Sequence, residues 1–197
     1  MDCNSLITSL DWCEGAPSLA GIRRRAYIAP MRSIVKMPVL PKDKNGRVTD
    51  STYVGDFMLK ADAKWAYVEF NPDQSQHTSE AENEIPSQLQ NNKLVLVCPG
   101  AGPKETKLVA EINNNNCIVV WQDMNGRWRV TGSNLYHNKC SAAQDSGQGP
   151  TGTVSTTITV EAHDYIPSPF YVGKLDTEDG EVDCASEDVV DLPGVSD

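Results

Sequence analysis

Nothing in this 197-residue sequence is apolar enough, for long enough, to cross a membrane as a helix. The opening, MDCNSLITSLDWCEGAP, lacks the basic start and unbroken apolar stretch of a secretory leader, so a chain made and folded in a cytosol is expected. Closely spaced cysteines are missing as well. Cys3, Cys13, Cys98, Cys117, Cys140 and Cys184 are dispersed and form no CxxC pair, which disfavours a zinc site. Without a leader a disulfide framework is disfavoured too, and the thiols read as free, small hydrophobes. Cys98 and Cys117 lie inside apolar runs and fit that role best.

Recognisable catalytic signatures are also absent. There is no GxGxxG, no Walker A loop, no HExxH and no GxSxG. The three histidines, His77, His137 and His163, stand alone in polar context and read as exposed strand or loop residues. Asp123, two residues before an Asn-Gly step, reads as a turn cap rather than a catalytic acid. No enzyme, cofactor or metal site is therefore expected.

What is present is an uneven charge and a strand-like pattern. The formal net charge is −10, yet residues 1–50 are mildly basic, with Arg23, Arg24 and Arg25 consecutive. From Asp176 onward there are nine carboxylate side chains and no Lys or Arg, so residues 174–197 are expected to form a solvated, mobile tail. The triple arginine lacks the interleaved aromatics of a nucleic-acid patch. A basic strand entrance meeting an acidic surface of a neighbouring subunit suits it as well.

The stretch VVWQDMNGRWRVTGS places Asn125-Gly126 between two apolar runs, the strongest short-range signal of a β-hairpin with a type I′ turn. Strand-like runs also cover Ala26–Ala29, Ser33–Lys36, AKWAYVEFNP, NNKLVLVCPG and a region around Leu135 to Ala142. In GTVSTTITVEAHDY, Val154, Thr156, Ile158 and Val160 point one way and Ser155, Thr157, Thr159 and Glu161 the other. One helix is expected in PKETKLVAEINNN, with Pro103 at its first turn and Leu108, Val109 and Ile112 as its apolar stripe. The polar stretch 71–91 is expected as a long loop, or as an edge strand that pairs only in an assembly. Together these predict a mainly β fold, an antiparallel β-sandwich or barrel with one packed α-helix. The expected division is an N-terminal arm over 1–20, a β domain over 21–173 and the acidic tail over 174–197.

Three segments, in order, resemble the tail tube proteins of tailed phages and prophages of the Bacteroidetes type: GIRRRAYIAPMRSI, CIVVWQDMNGRWRVTGS and SGQGPTGTVSTTITVEAHDYIPSPFYVG. They span most of residues 21–173, and the helix falls between strands where that family packs one. The resemblance implies a subunit of the virion tail, assembled in the host cytoplasm. Homohexameric rings would stack into a hollow tube around a tape-measure protein and, later, DNA passing without specific binding. It implies partnership with itself and other tail proteins, and none with a membrane. On that basis Arg23, Arg24 and Arg25 are expected at a subunit contact. The polar arm, through Gln74, Gln76, Glu80, Glu82, Glu84, Gln88 and Gln90, is expected to reach a neighbour. Trp121 and Trp128 are expected in the subunit core or an inter-ring seam. Two alternatives are a β-sandwich binding glycans or a host surface through Trp12, Trp65, Trp121 and Trp128, and a metal- or thiol-dependent enzyme using the cysteines.

Overall fold

The turn at Asn125-Gly126 sets the geometry of the central hairpin. Gly126 has φ +90°, while Asn125 is not among the residues with positive φ. Gly126 N donates to Asp123 O at 3.0 Å, and Asp123 N donates to Arg127 O at 2.9 Å. This is a type I turn closed by a left-handed glycine, not the expected type I′ turn. The cause is Asp123: its Oδ1 accepts from Arg127 N at 3.0 Å and caps the turn, as the sequence suggested. Residues 43–47 repeat the DxNGR pattern with the same bonds, Gly46 N to Asp43 O at 3.0 Å and Asp43 N to Arg47 O at 2.9 Å.

A computed structural model describes residues 7–186. Its strands are β1 (Ile22–Pro30), β2 (Ile34–Lys36), β3 (Thr52–Tyr53), β4 (Met58–Leu59), β5 (Ala66–Glu69), β6 (Gln76–Glu82) and β7 (Leu89–Pro99). After helix α1 (Pro103–Ile112) come β8 (Cys117–Asp123), β9 (Trp128–Thr131), β10 (Lys139–Asp145) and β11 (Ser155–Asp164). The chain continues through β12 (Phe170–Tyr171), β13 (Lys174–Thr177) and β14 (Gly180–Asp183). The fold is mainly β, a predominantly antiparallel sandwich with one helix. One sheet has six strands in the order β3-β12-β9-β8-β1-β5, and the other has four in the order β10-β11-β7-β6.

Between the two sheets lies one core, with Ala26, Ile28, Phe70, Leu94, Leu96, Val119, Trp121, Ile158 and Val160. Ile112 is buried at its edge, and Leu108 and Val109 pack against it, as the helical stripe predicted. The six-stranded sheet is also covered on its far face. There Tyr27, Ile118, Val120, Trp128 and Val130 meet Tyr53, Phe57, Trp65, Tyr171 and Leu175. Alternate residues of β8 from Cys117 to Trp121 feed the two cores, which explains that apolar run, and the polar Gln122 and Asp123 that end the strand are buried too.

Two sequence expectations change here. Residues 174–184 are folded rather than part of a mobile tail. β13 and β14 form a hairpin in which Leu175 and Thr177 face inward while Lys174 and Asp176 face outward. Trp65 N donates to Asp176 O at 3.0 Å, and Cys184 is buried. The acidic residues obscured a period of two, whose inward members are apolar or small. Residues 187–197 of the expected tail lie outside the described residues. The polar arm, second, is not a loop: β6 pairs antiparallel with β7 from Gln76↔Val95 to Glu82↔Leu89. Its alternating polar side chains are the solvent face of an edge strand.

Candidate assembly surface

β6 and β10 form the two edges of the four-stranded sheet, each seven residues long. Across the sheet's outer face, Thr78, Lys93, Glu161 and Lys139 stand in register on β6, β7, β11 and β10. Lys93 Nζ pairs with Glu161 at 2.9 Å. Gln76, Thr78, Glu80 and Glu82 are exposed along β6. Glu82 accepts from Asn91 Nδ2 at 2.7 Å and lies 2.9 Å from His163 Nε2. The His163 contact, then Asn91, holds the Glu82 carboxyl below its ordinary range. The face is thus polar and self-neutralising, with no surplus of cations.

The edges differ. Among the described residues β6 has no strand on its outer side. At β10 the side chain of Asn113, just after α1, occupies one backbone position. Ala142 N donates to Asn113 Oδ1 at 2.8 Å, and Asn113 Nδ2 donates to Ala142 O at 3.1 Å. An amide side chain standing in for a strand is a guard against edge-to-edge pairing.

The ten residues expected at subunit contacts separate into groups. Gln74, Gln76, Glu80, Glu82, Glu84 and Gln88 are exposed on β6 or its flanking turns. Gln90 is half-buried and accepts from Ser79 Oγ at 3.1 Å. The arginines are divided by β1. Arg24 is largely exposed and 3.8 Å from Glu69. Arg25 is nearly covered, bonded to Glu69 Oε1 at 2.7 Å and stacked 4.4 Å over Tyr67. Arg23 reaches Met124 O at 3.4 Å. The register of β1 on β8 shifts between Ile22 and Ala26, and Arg24 and Arg25 converge on the Glu69 carboxylate while Arg23 reaches the turn after β8. They form no continuous basic patch.

His77 departs from expectation. It points inward from β6, stacks 4.9 Å from Trp121, and burial, with Arg129 nearby, pushes its pKa down to about 4. Trp121 Nε1–H donates to Thr131 Oγ1 at 2.9 Å, Thr131 Oγ1 and Ser168 Oγ are 2.9 Å apart, and Ser168 Oγ is 2.8 Å from His77 Nε2. Every hydroxyl hydrogen finds an acceptor if His77 Nε2 is the bare nitrogen at the end of this relay. Ser168 is fully buried and held by Thr131, so the relay fastens the edge strand to the six-stranded sheet. Neither Ser168 nor Thr131 stands out in sequence, because His77 lies 91 residues and Thr131 37 residues from Ser168, and only folding brings them together.

Asp164 is a second buried polar group. It accepts from Tyr165 N at 2.7 Å and Tyr53 Oη at 3.4 Å, and burial raises its carboxyl to about 6. Three of the four tryptophans considered for sugar stacking, Trp65, Trp121 and Trp128, are buried, whereas Trp12 is exposed. Among the described residues, no three His, Cys, Asp or Glu side chains cluster so as to hold a metal ion. Compared with family models, curated proteins and solved structures, the chain finds no match.

Proposed function

We propose that this chain is a structural subunit that associates with itself through the edges of its four-stranded sheet, as a phage-type tail tube protein does. The observation that carries this reading is β6: a seven-residue edge strand with no partner on its outer side. Such an edge is a liability in a lone subunit and a joint in an assembly. In a ring, β6 of one copy would pair with β10 of the next, displacing the Asn113 side chain at Ala142. Six copies of four strands, 24 in all, would close an inner barrel. The Thr78–Lys93–Glu161–Lys139 face would then line the bore. Phosphate binding needs unpaired Lys and Arg; here Lys93 is paired with Glu161 and Lys139 acts electrostatically on Glu82, so the wall would let DNA slide past. Ring-on-ring stacking is a contact that does not close on itself and so extends a tube.

Native mass spectrometry tests the reading. Species at six times the 21.5 kDa chain mass, or multiples of that, are expected as concentration rises. A monomer at every concentration, including samples seeded with preformed assemblies, would refute it.

A further inference from the structure

The described part of the N-terminal arm, residues 7–20, contains neither helix nor strand and is exposed throughout. Its large apolar side chains are in water: Ile7 is 95% exposed, Leu10 93% and Trp12 82%. The arm is nevertheless anchored at its base. Leu19 N donates to Asn125 Oδ1 at 3.2 Å, Asn125 Nδ2 donates to Leu19 O at 3.3 Å, and Met124 N donates to Gly21 O at 3.2 Å. The tip of the central hairpin therefore fixes where the arm leaves the domain.

Beside it lies a groove of about 840 Å³ between the loop Val48–Ser51 and the segment Ile166–Phe170. Ile166, Pro167 and Phe170 give it apolar surface, and Arg129 forms a wall with its guanidinium 4.0 Å over the Phe170 ring. The chain's own Thr8 and Leu10 border this groove, yet Leu10 remains almost wholly exposed. The arm passes the mouth without filling it. Both an apolar ligand and an apolar groove are thus left unsatisfied in one copy. Their charges also match. Residues 7–20 carry Asp11 and Glu14 and no Lys or Arg, whereas Arg47 adjoins the groove's Val48 rim and Arg129, which lines it, already lies 3.7 Å from Asp123 and donates to Ser168 O at 3.2 Å. Asp50, the carboxylate on that rim, is occupied in accepting from Thr52 N at 3.0 Å.

We infer that the groove between Val48–Ser51 and Ile166–Phe170 receives the N-terminal arm of a second copy of this chain, with Leu10 and Trp12 as the apolar anchors. From Leu19, the extended chain reaches about 25 Å to Trp12 and about 30 Å to Leu10, enough to cross to a neighbour. Reciprocal exchange would close a dimer, and one-way exchange would link copies in series. This deepens the self-association reading, and rests on it only in that copies must meet.

Two chains that each carry one probe distinguish exchange from a contact within a chain. The first is Cys3→Ser, which keeps the exposed Cys13 on the arm. The second is Cys3→Ser/Cys13→Ser/Thr49→Cys, with its thiol on the exposed groove rim. Mixed at equal concentration and oxidised with copper–phenanthroline, they should give a disulfide-linked heterodimer as the main product on a non-reducing gel. Adding Leu10→Ser/Trp12→Ser to the first chain should reduce that product at least tenfold. Moving the second chain's probe from Thr49 to Glu178, exposed on the β13–β14 turn and outside the groove's lining, should abolish it. No heterodimer, or equal yields from Thr49 and Glu178 probes, would overturn the inference even if tubes form. A heterodimer that depends on Leu10 and Trp12 upholds it even if none do.

Discussion

Lowering the pH should set His77 and Asp164 against each other. The His77 pKa falls from an ordinary 6.5 to about 4 on folding, chiefly through burial. Below pH 6.5 the unfolded chain therefore binds a proton that the folded chain refuses. The stability His77 contributes is present above pH 6.5 and is lost as pH falls through 4, by about 3 kcal/mol at pH 4. Asp164 runs the other way. Burial lifts its carboxyl from 3.8 to about 6, so its contribution is fully present below pH 3.8 and is lost as pH rises through 6. Between pH 7 and pH 4 it returns about 2 kcal/mol. In the native protein the two nearly cancel. Urea unfolding at pH 7, 5 and 4 should separate them. Asp164→Asn should lose about 2 kcal/mol more than the native chain over that interval, and His77→Gln about 3 kcal/mol less. Carboxylates common to all three chains, such as Glu82 and Asp43, shift the curves together and drop out of the differences. Curves for the three proteins that run parallel within about 0.5 kcal/mol would refute the reasoning.

Three further perturbations test the packing. Gly132 has φ +130°, and a Cβ there would lie 2.8 Å from Ile118 Cγ1, so Gly132→Ala should cost about 3 kcal/mol by chemical denaturation. Leu175 is fully buried in the hairpin that follows the expected domain end; Leu175→Ala should cost about 2–5 kcal/mol, whereas a free tail would tolerate it without a change in melting temperature. Trp121 Nε1 donates to Thr131 while Trp128 Nε1 is buried without a hydrogen-bond partner. Trp121→Phe should therefore destabilise more than Trp128→Phe, by about 1–2 kcal/mol in calorimetry.

How far the sequence discloses the fold depends on the range over which each feature is decided. The helix and its Leu108–Ile112 stripe, the alternation of β11 from Ser155 onward and the Asp123 cap are set by neighbours a few residues away and are legible, whereas Val154, expected inward, precedes the strand and is exposed. The turn type at Asn125-Gly126 is not. Asn-Gly favours type I′, but the capping carboxylate of Asp123 selects a different closure. His77 reads as a polar surface residue because Trp121 and Ser168, which enclose it, are 44 and 91 residues away. The β13–β14 hairpin was hidden by its charge, since composition averages over the inward and outward positions that a strand separates. The open edge at β6 lies in between: its polar sequence announces an edge or a loop, and only the pairing with β7 decides which.

Negative-stain imaging of the purified chain across concentration, with and without seeding, tests the central claim of self-association most directly. Six-fold rings or hollow tubes of constant width are predicted. Single particles of monomer size that no seed converts would contradict it.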